Sequence, residues 1–116
     1  GVFQMESSGM RRYVAELKPA NIRELAAMVA LGARVELTLL SCMPSRNQYT
    51  PADLVSVVKT LGAENCVVTT DFGQWVNPPP AEGMRMAIAE LLNAGLGPDE
   101  VEALVKTNPL ELVDLD

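Results

Sequence analysis

The sequence encodes an α/β fold in which helices pack on a sheet. The first indication is an internal repeat: Leu31-Gly32-Ala33 recurs as Leu61-Gly62-Ala63, each time closing an amphipathic segment just before a β-rich run. A helix, a glycine stop and a strand used twice at about 30 residues match the length of a strand plus its returning helix. The second is composition. Apolar residues make up 48% of the chain but aromatics only 4%, so Leu, Val, Ala and Met must fill the core, as they do where helices lie on a sheet. The third is the contiguous apolar run Cys66-Val67-Val68, the pattern of a strand covered on both faces.

Taken in order, residues 1–9 are expected to be an expression remnant or a disordered start, because Gly1 stands in the place of an initiating Met. Residues 10–116 form one α/β domain with strands at 35–40 and 65–70 and four or five helices. The first helix begins near Pro19 and carries Ile22, Leu25, Ala26 and Val29 on one face. In the strand that follows, Val35, Leu37 and Leu39 alternate with Glu36 and Thr38, so one face is partly polar or lines a cavity. Glu36 has two readings: a solvent-facing edge position, or a carboxylate directed into a pocket where burial raises its pKa.

The polar connection Ser41 to Tyr49 ends in a strong helix start, with Thr50 as cap, Pro51 in the first turn and Asp53 near the positive helix end. Leu54, Val57, Val58 and Leu61 form the stripe of that helix. After the second strand come Asp71 and a loop through Trp75 to the stiff run Pro78-Pro79-Pro80. A helix with Met84, Ala87, Ile88, Leu91 and Leu92 on its face stops at Gly95-Leu96-Gly97. Pro98-Asp99-Glu100 opens another with Val101, Leu104 and Val105 inward, Asn108-Pro109 breaks it, and Leu110, Leu112 and Val113 mark a last packed turn.

Charge and composition exclude several functions. A net charge of -6 argues against nucleic acid or an anionic membrane as partner. No apolar stretch approaches the ~20 residues that span a bilayer, and no leader pattern is present. Cys42 and Cys66 lack a CxxC companion and read as reduced, buried thiols of a cytoplasmic protein, although their placement on neighbouring strands allows proximity. With no histidine in the chain, Ser41, Ser45 and Ser56 have no base for a conventional triad. Gly95-Leu96-Gly97 follows a helix, whereas phosphate loops follow a strand, so it is a joint between helices.

What remains is a cluster of loops at the strand ends. Asp71 is delivered at the end of the second strand and is the candidate catalytic and metal-binding residue; the structural alternative is a carboxylate that accepts backbone N–H bonds in the Phe72-Gly73 turn or caps the loop. Glu36, Arg46, Gln74, Trp75 and Asn77 are the candidate pocket residues around it, with Arg46 the notable cation of the 41–49 loop. A small molecule is the expected occupant of such a pocket. Trp75 covers one side of it or faces a missing partner.

The strand ending in Thr70-Asp71 with Gly73, the proline loop, the long helix, and then Thr107-Asn108-Pro109-Leu110-Glu111-Leu112 resemble the C-terminal end of metal-dependent amidohydrolases, closest to uncharacterised amidohydrolase-like or phosphotriesterase-like proteins. The resemblance covers roughly Ala33 to Asp116. It implies the last βα units of a TIM-barrel-like (β/α)8 hydrolase, present as a fragment or a shortened form. It further implies that Asp71 binds a divalent metal, zinc or manganese, and handles the proton of the attacking water, while Asn108 and Pro109 are structural. The histidines that such enzymes take from earlier strands are missing.

Three functional expectations follow, the third being a small-molecule pocket formed by Ser41 to Asn47 and Asp71 to Asn77 without chemistry. The first is the C-terminal part of a metal-dependent hydrolase, inactive and without tightly held metal as the isolated chain, because a catalytic zinc typically takes three protein ligands. The second is a non-catalytic α/β interaction or structural module. Two strands cannot close a barrel, which takes about 250 residues, so the open edges are expected to pair with a second copy or with a missing N-terminal portion.

Overall fold

The computed structural model describes residues 2–4 and 18–113. Three short strands, β1 (Val2–Gln4), β2 (Arg34–Thr38) and β3 (Cys66–Thr69), form one parallel sheet in the order β1-β2-β3. The register sets Phe3 against Val35, Val35 against Cys66, and Thr38 against Thr69. Helix α1 (Lys18–Ala30) connects β1 to β2, and α2 (Pro51–Leu61) connects β2 to β3. Beyond β3 the described chain is helical: α3 (Pro80–Asn93), α4 (Pro98–Glu102), a π turn (Ala103–Thr107) and α5 (Asn108–Val113).

Local chemistry explains where these helices start and stop. Thr50 Oγ1 accepts from the Asp53 amide at 3.2 Å while the Thr50 amide donates to Asp53 Oδ2 at 2.9 Å, a reciprocal capping box with Pro51 behind it. Helix α1 ends as Gly32 turns to a φ of 95°, its amide bonding Val29 O while the Ala33 amide reaches back to Met28 O. Helix α3 ends the same way, with Gly95 at φ 117° and the buried Leu96 amide bonded to Leu91 O. Both are Schellman closures, which need a residue free of the Cβ penalty at the left-handed position.

Val35, Leu37, Cys66 and Val68 share one face of the sheet, are at most 2% exposed, and pack with Leu25, Leu54, Val58, Ala87, Leu91 and Leu104 in one core. The opposite face carries Arg34, Glu36 and Thr38 from β2 and Val67 and Thr69 from β3, as the two-residue period of a strand dictates.

The barrel expectation is corrected. A (β/α)8 unit needs alternating strands and helices that close on themselves, whereas among the described residues the sheet is open, has three strands and is followed by helices without a further strand. The described chain is mostly helical with a small parallel sheet. The strands are also shorter than the apolar runs that signalled them. Leu39–Cys42 and Ala63–Asn65 are single 3-10 turns, because the Ser41 hydroxyl donates to Thr38 O at 2.6 Å and the Asn65 side-chain Nδ2 donates to Leu61 O at 2.8 Å.

Asn108-Pro109 does not break the helical run. The turn before it widens to π spacing, with the Asn108 amide bonded to Ala103 O, so the chain passes through a proline that an ordinary α turn excludes. The last turn is not packed either: Leu110 and Val113 are 60% and 71% exposed.

Candidate functional site

The polar loops gather where β2 and β3 end. The Leu40 amide bonds Thr70 O at 3.1 Å and so ties the turn after β2 to the end of β3. The Gln48 and Tyr49 amides both return to Ser41 O, at 3.0 and 3.2 Å, which closes the 41–49 loop on itself with Asn47 at φ 47°. Arg46 stands exposed on that loop and forms no ion pair among the described residues.

Asp71 lies past the end of β3, exposed and in the left-handed region at φ 54°, which aspartate tolerates better than most residues. Its carboxylate accepts no hydrogen bond among the described residues. The amides that follow it find other partners: Phe72 donates to Thr70 Oγ1 at 3.3 Å and Gly73 to Gln74 Oε1 at 3.2 Å. Gln74 organises this loop. Its Nε2 donates to Asp71 O at 3.3 Å and its Oε1 also accepts from Asn77 Nδ2 at 2.8 Å, while the Asn77 amide bonds Gln74 O.

The structure therefore brings Gln74, Asn77 and the Asp71 backbone together in one braced turn. Trp75 projects from it, 95% exposed, with Val76 at 56% beside it. Glu36 is elsewhere: half-buried on the sheet, it accepts from Thr69 Oγ1 at 2.8 Å through Oε1. Two cavities are formed by described residues. A groove of about 260 Å³ runs between α3 and α4, lined by Ile88, Leu92, Pro98, Val101 and Val105, and a void of about 10 Å³ lies by Leu39, Cys42, Leu54 and Leu91.

These residues do not fit zinc or manganese. Among the described residues no group of three or more His, Cys, Asp or Glu side chains could hold a metal, and the chain has no histidine at all. The thiols are poor ligands as well. Burial pushes the Cys66 thiol up to about 12, helped by the charge of Glu64, and burial likewise raises Cys42 against the opposing hydrogen bond from Ser41. Both cysteines are free. A metal-activated water at Asp71 would need its other ligands from outside the described residues.

Three residues that shape the site do so through contacts far apart in sequence. The Asn108 side chain, 3% exposed, donates from Nδ2 to both Ala63 O and Cys66 O at 2.7 Å and so clamps the entrance of β3. Arg34 on β2 reaches Glu111 Oε2 at 2.5 Å and ties α5 to the sheet. Gly83 in α3 gives the Phe72 ring room to pack against that helix. The single sequence signal for this last contact was a glycine inside an otherwise regular helical pattern.

The family model for the finger domain of the bacterial DNA polymerase III alpha subunit matches residues 1–36. No curated protein and no solved structure matches the chain. The polymerase match spans β1, α1 and β2 as far as Glu36. It overturns the amidohydrolase resemblance, and the hydrolase and TIM-barrel expectations that came with it, since the family similarity found belongs to a polymerase.

Charge divides where the match ends. Residues 1–36 hold five Lys and Arg against four Glu, whereas residues 37–116 hold four Lys and Arg against eleven Asp and Glu. The exclusion of nucleic acid drew on the net charge of the whole chain and does not extend to this first segment. Among the described residues no helix is long and apolar enough to cross a membrane.

Proposed function

We propose that this chain is a non-catalytic interaction module that works as part of a larger assembly. Residues 1–36 meet other subunits or nucleic acid, as a polymerase finger segment does, and the acidic part from residue 37 docks to protein. One observation supports the docking role above all: Trp75 is 95% exposed on a loop held by Gln74 and Asn77 and stiffened by Pro78-Pro79-Pro80. A tryptophan left in water forgoes a large burial gain, and tryptophan is among the residues that most often anchor protein interfaces. A braced loop has already lost the freedom that binding would otherwise remove.

The partner tested first is a second copy. Sedimentation velocity across a concentration series is expected to show reversible association that Trp75→Ala removes without loss of helical circular dichroism. A chain that stays monomeric throughout, with Trp75 fully open to quenching, rejects self-docking through this loop. Fluorescence anisotropy with a primed DNA duplex tests the first segment: binding weakened by Arg11→Ala and Arg12→Ala supports a nucleic-acid role, and no binding at low salt rejects it.

A further inference from the structure

The second face of the sheet carries a row of oxygens that the interaction role does not use. Glu36 and Thr38 lie two residues apart on β2, on the same face, and Thr69 on β3 stands in register with Thr38. Thr69 Oγ1 donates its hydrogen to Glu36 Oε1 at 2.8 Å, which leaves the lone pairs of that hydroxyl free to accept. Thr38 Oγ1 is buried without a hydrogen-bond partner, in a residue 3% exposed. Glu36 forms no ion pair among the described residues, because the nearest cation along the strand, Arg34, is taken by Glu111. A buried hydroxyl without a partner costs about 1–3 kcal/mol, so a fold that keeps one has a use for it or a group that visits it.

We propose that Glu36, Thr38 and Thr69 form a recognition site for a primary ammonium group. An ammonium carries three donors and a positive charge, and this site offers one carboxylate and two hydroxyl acceptors. The spacing suits it: side chains in register on neighbouring strands stand about 4.8 Å apart, close to the separation of two acceptors on one tetrahedral nitrogen. Guanidinium fits less well, being flat and forked, and finds no pair of coplanar carboxylate oxygens free while Thr69 occupies one of them. Glu36 and Thr69 are half-buried beside the buried Thr38. The amine comes either from a lysine side chain of a partner or from a free alkylamine.

The test is a titration of the full chain followed by NMR at the Thr38 and Thr69 methyl groups and the Glu36 carboxylate carbon. Propylammonium represents the free amine and doubly blocked lysine the peptide source; tetramethylammonium and guanidinium are the comparison cations. Saturable shifts at these three residues with the primary amines, and not with tetramethylammonium, are expected. The arm that saturates at lower concentration identifies the source. Glu36→Gln and Thr38→Val should each weaken binding by about tenfold, and Thr38→Ser should keep it. Equal shifts with tetramethylammonium, a tighter response to guanidinium, or no saturable shift in the wild-type chain would each overturn the proposal, and none of these readings needs a variant to fold.

Discussion

The ring of Phe72 occupies the space where a side chain at position 83 would begin. A β-carbon on Gly83 would stand 2.5 Å from ring atoms Cδ2 and Cε2 of Phe72 and 3.2 Å from Cγ2 of Thr70. Phe72 packs against the core through this notch, so the loop carrying Asp71 and Trp75 is pinned to α3 at one buried glycine.

Gly83→Ala therefore sets two effects against each other. Helix propensity favours alanine by about 1 kcal/mol, whereas displacing a packed ring costs about 1–3 kcal/mol. The clash is expected to win, with a net loss of about 1 kcal/mol in urea unfolding. Combining the change with Phe72→Ala should recover the propensity gain, giving a coupling between the two sites. A more stable Gly83→Ala single variant would show that the ring does not rest there.

Removing the Asn108 side chain leaves two carbonyls at the entrance of β3, those of Ala63 and Cys66, without this donor. Asn108→Ala is expected to cost about 2–3 kcal/mol, and Asn108→Asp at least as much, since a carboxylate offers acceptors where donors are needed. Chemical denaturation of both variants checks this. A loss below about 0.5 kcal/mol for either would mean that the clamp adds nothing to stability.

Thr38→Val removes a buried hydroxyl with no partner and keeps its shape. In buffer without amines the variant is expected to equal or exceed the wild type in stability, by up to about 1 kcal/mol. Thermal unfolding measures it directly. A loss of about 1 kcal/mol or more would show that the hydroxyl is satisfied in solution.

The Cys66 thiol, raised by burial from 9.0 to about 12, links folding to alkaline pH. The unfolded chain loses this proton first, so the stabilisation is intact below about pH 9 and declines as pH rises from there toward about 12. Unfolding free energy should fall over that window in the wild type and less steeply in Cys66→Ala. Thiol labelling offers a second readout: Cys42, half-buried, should react in the native state and Cys66 only on unfolding. Equal labelling rates would reject the burial of Cys66.

Elements governed by neighbouring residues could be read directly. Thr50-Pro51 with Asp53 announced the start of α2, and the glycines after α1 and α3 announced their ends, because caps and left-handed turns act over four or five residues. The alternation of Glu36 and Thr38 with Val35 and Leu37 likewise foretold a polar sheet face. The resemblance to a hydrolase misled because it joined short motifs, Thr70-Asp71 with Gly73 and Thr107-Asn108-Pro109, whose pattern says nothing of closure or ligand number. The polymerase-like segment passed unnoticed, since the whole-chain charge hid the difference between its near-balanced residues and the acidic remainder.

By itself, the sequence determined the start of α2 and the glycine stops of α1 and α3, the polar and apolar faces of β2, and the lack of any imidazole for a metal or a triad. Each follows from residue identity and short-range periodicity. Only the tertiary structure decided that the sheet stays open, that Asn108 clamps β3 across more than forty residues, that Phe72 lies in the Gly83 notch, and that Asp71 stands apart while Glu36, Thr38 and Thr69 share a face. These depend on strand register and on which carbonyls and rings meet at long range, and contacts between distant residues leave no period along the chain.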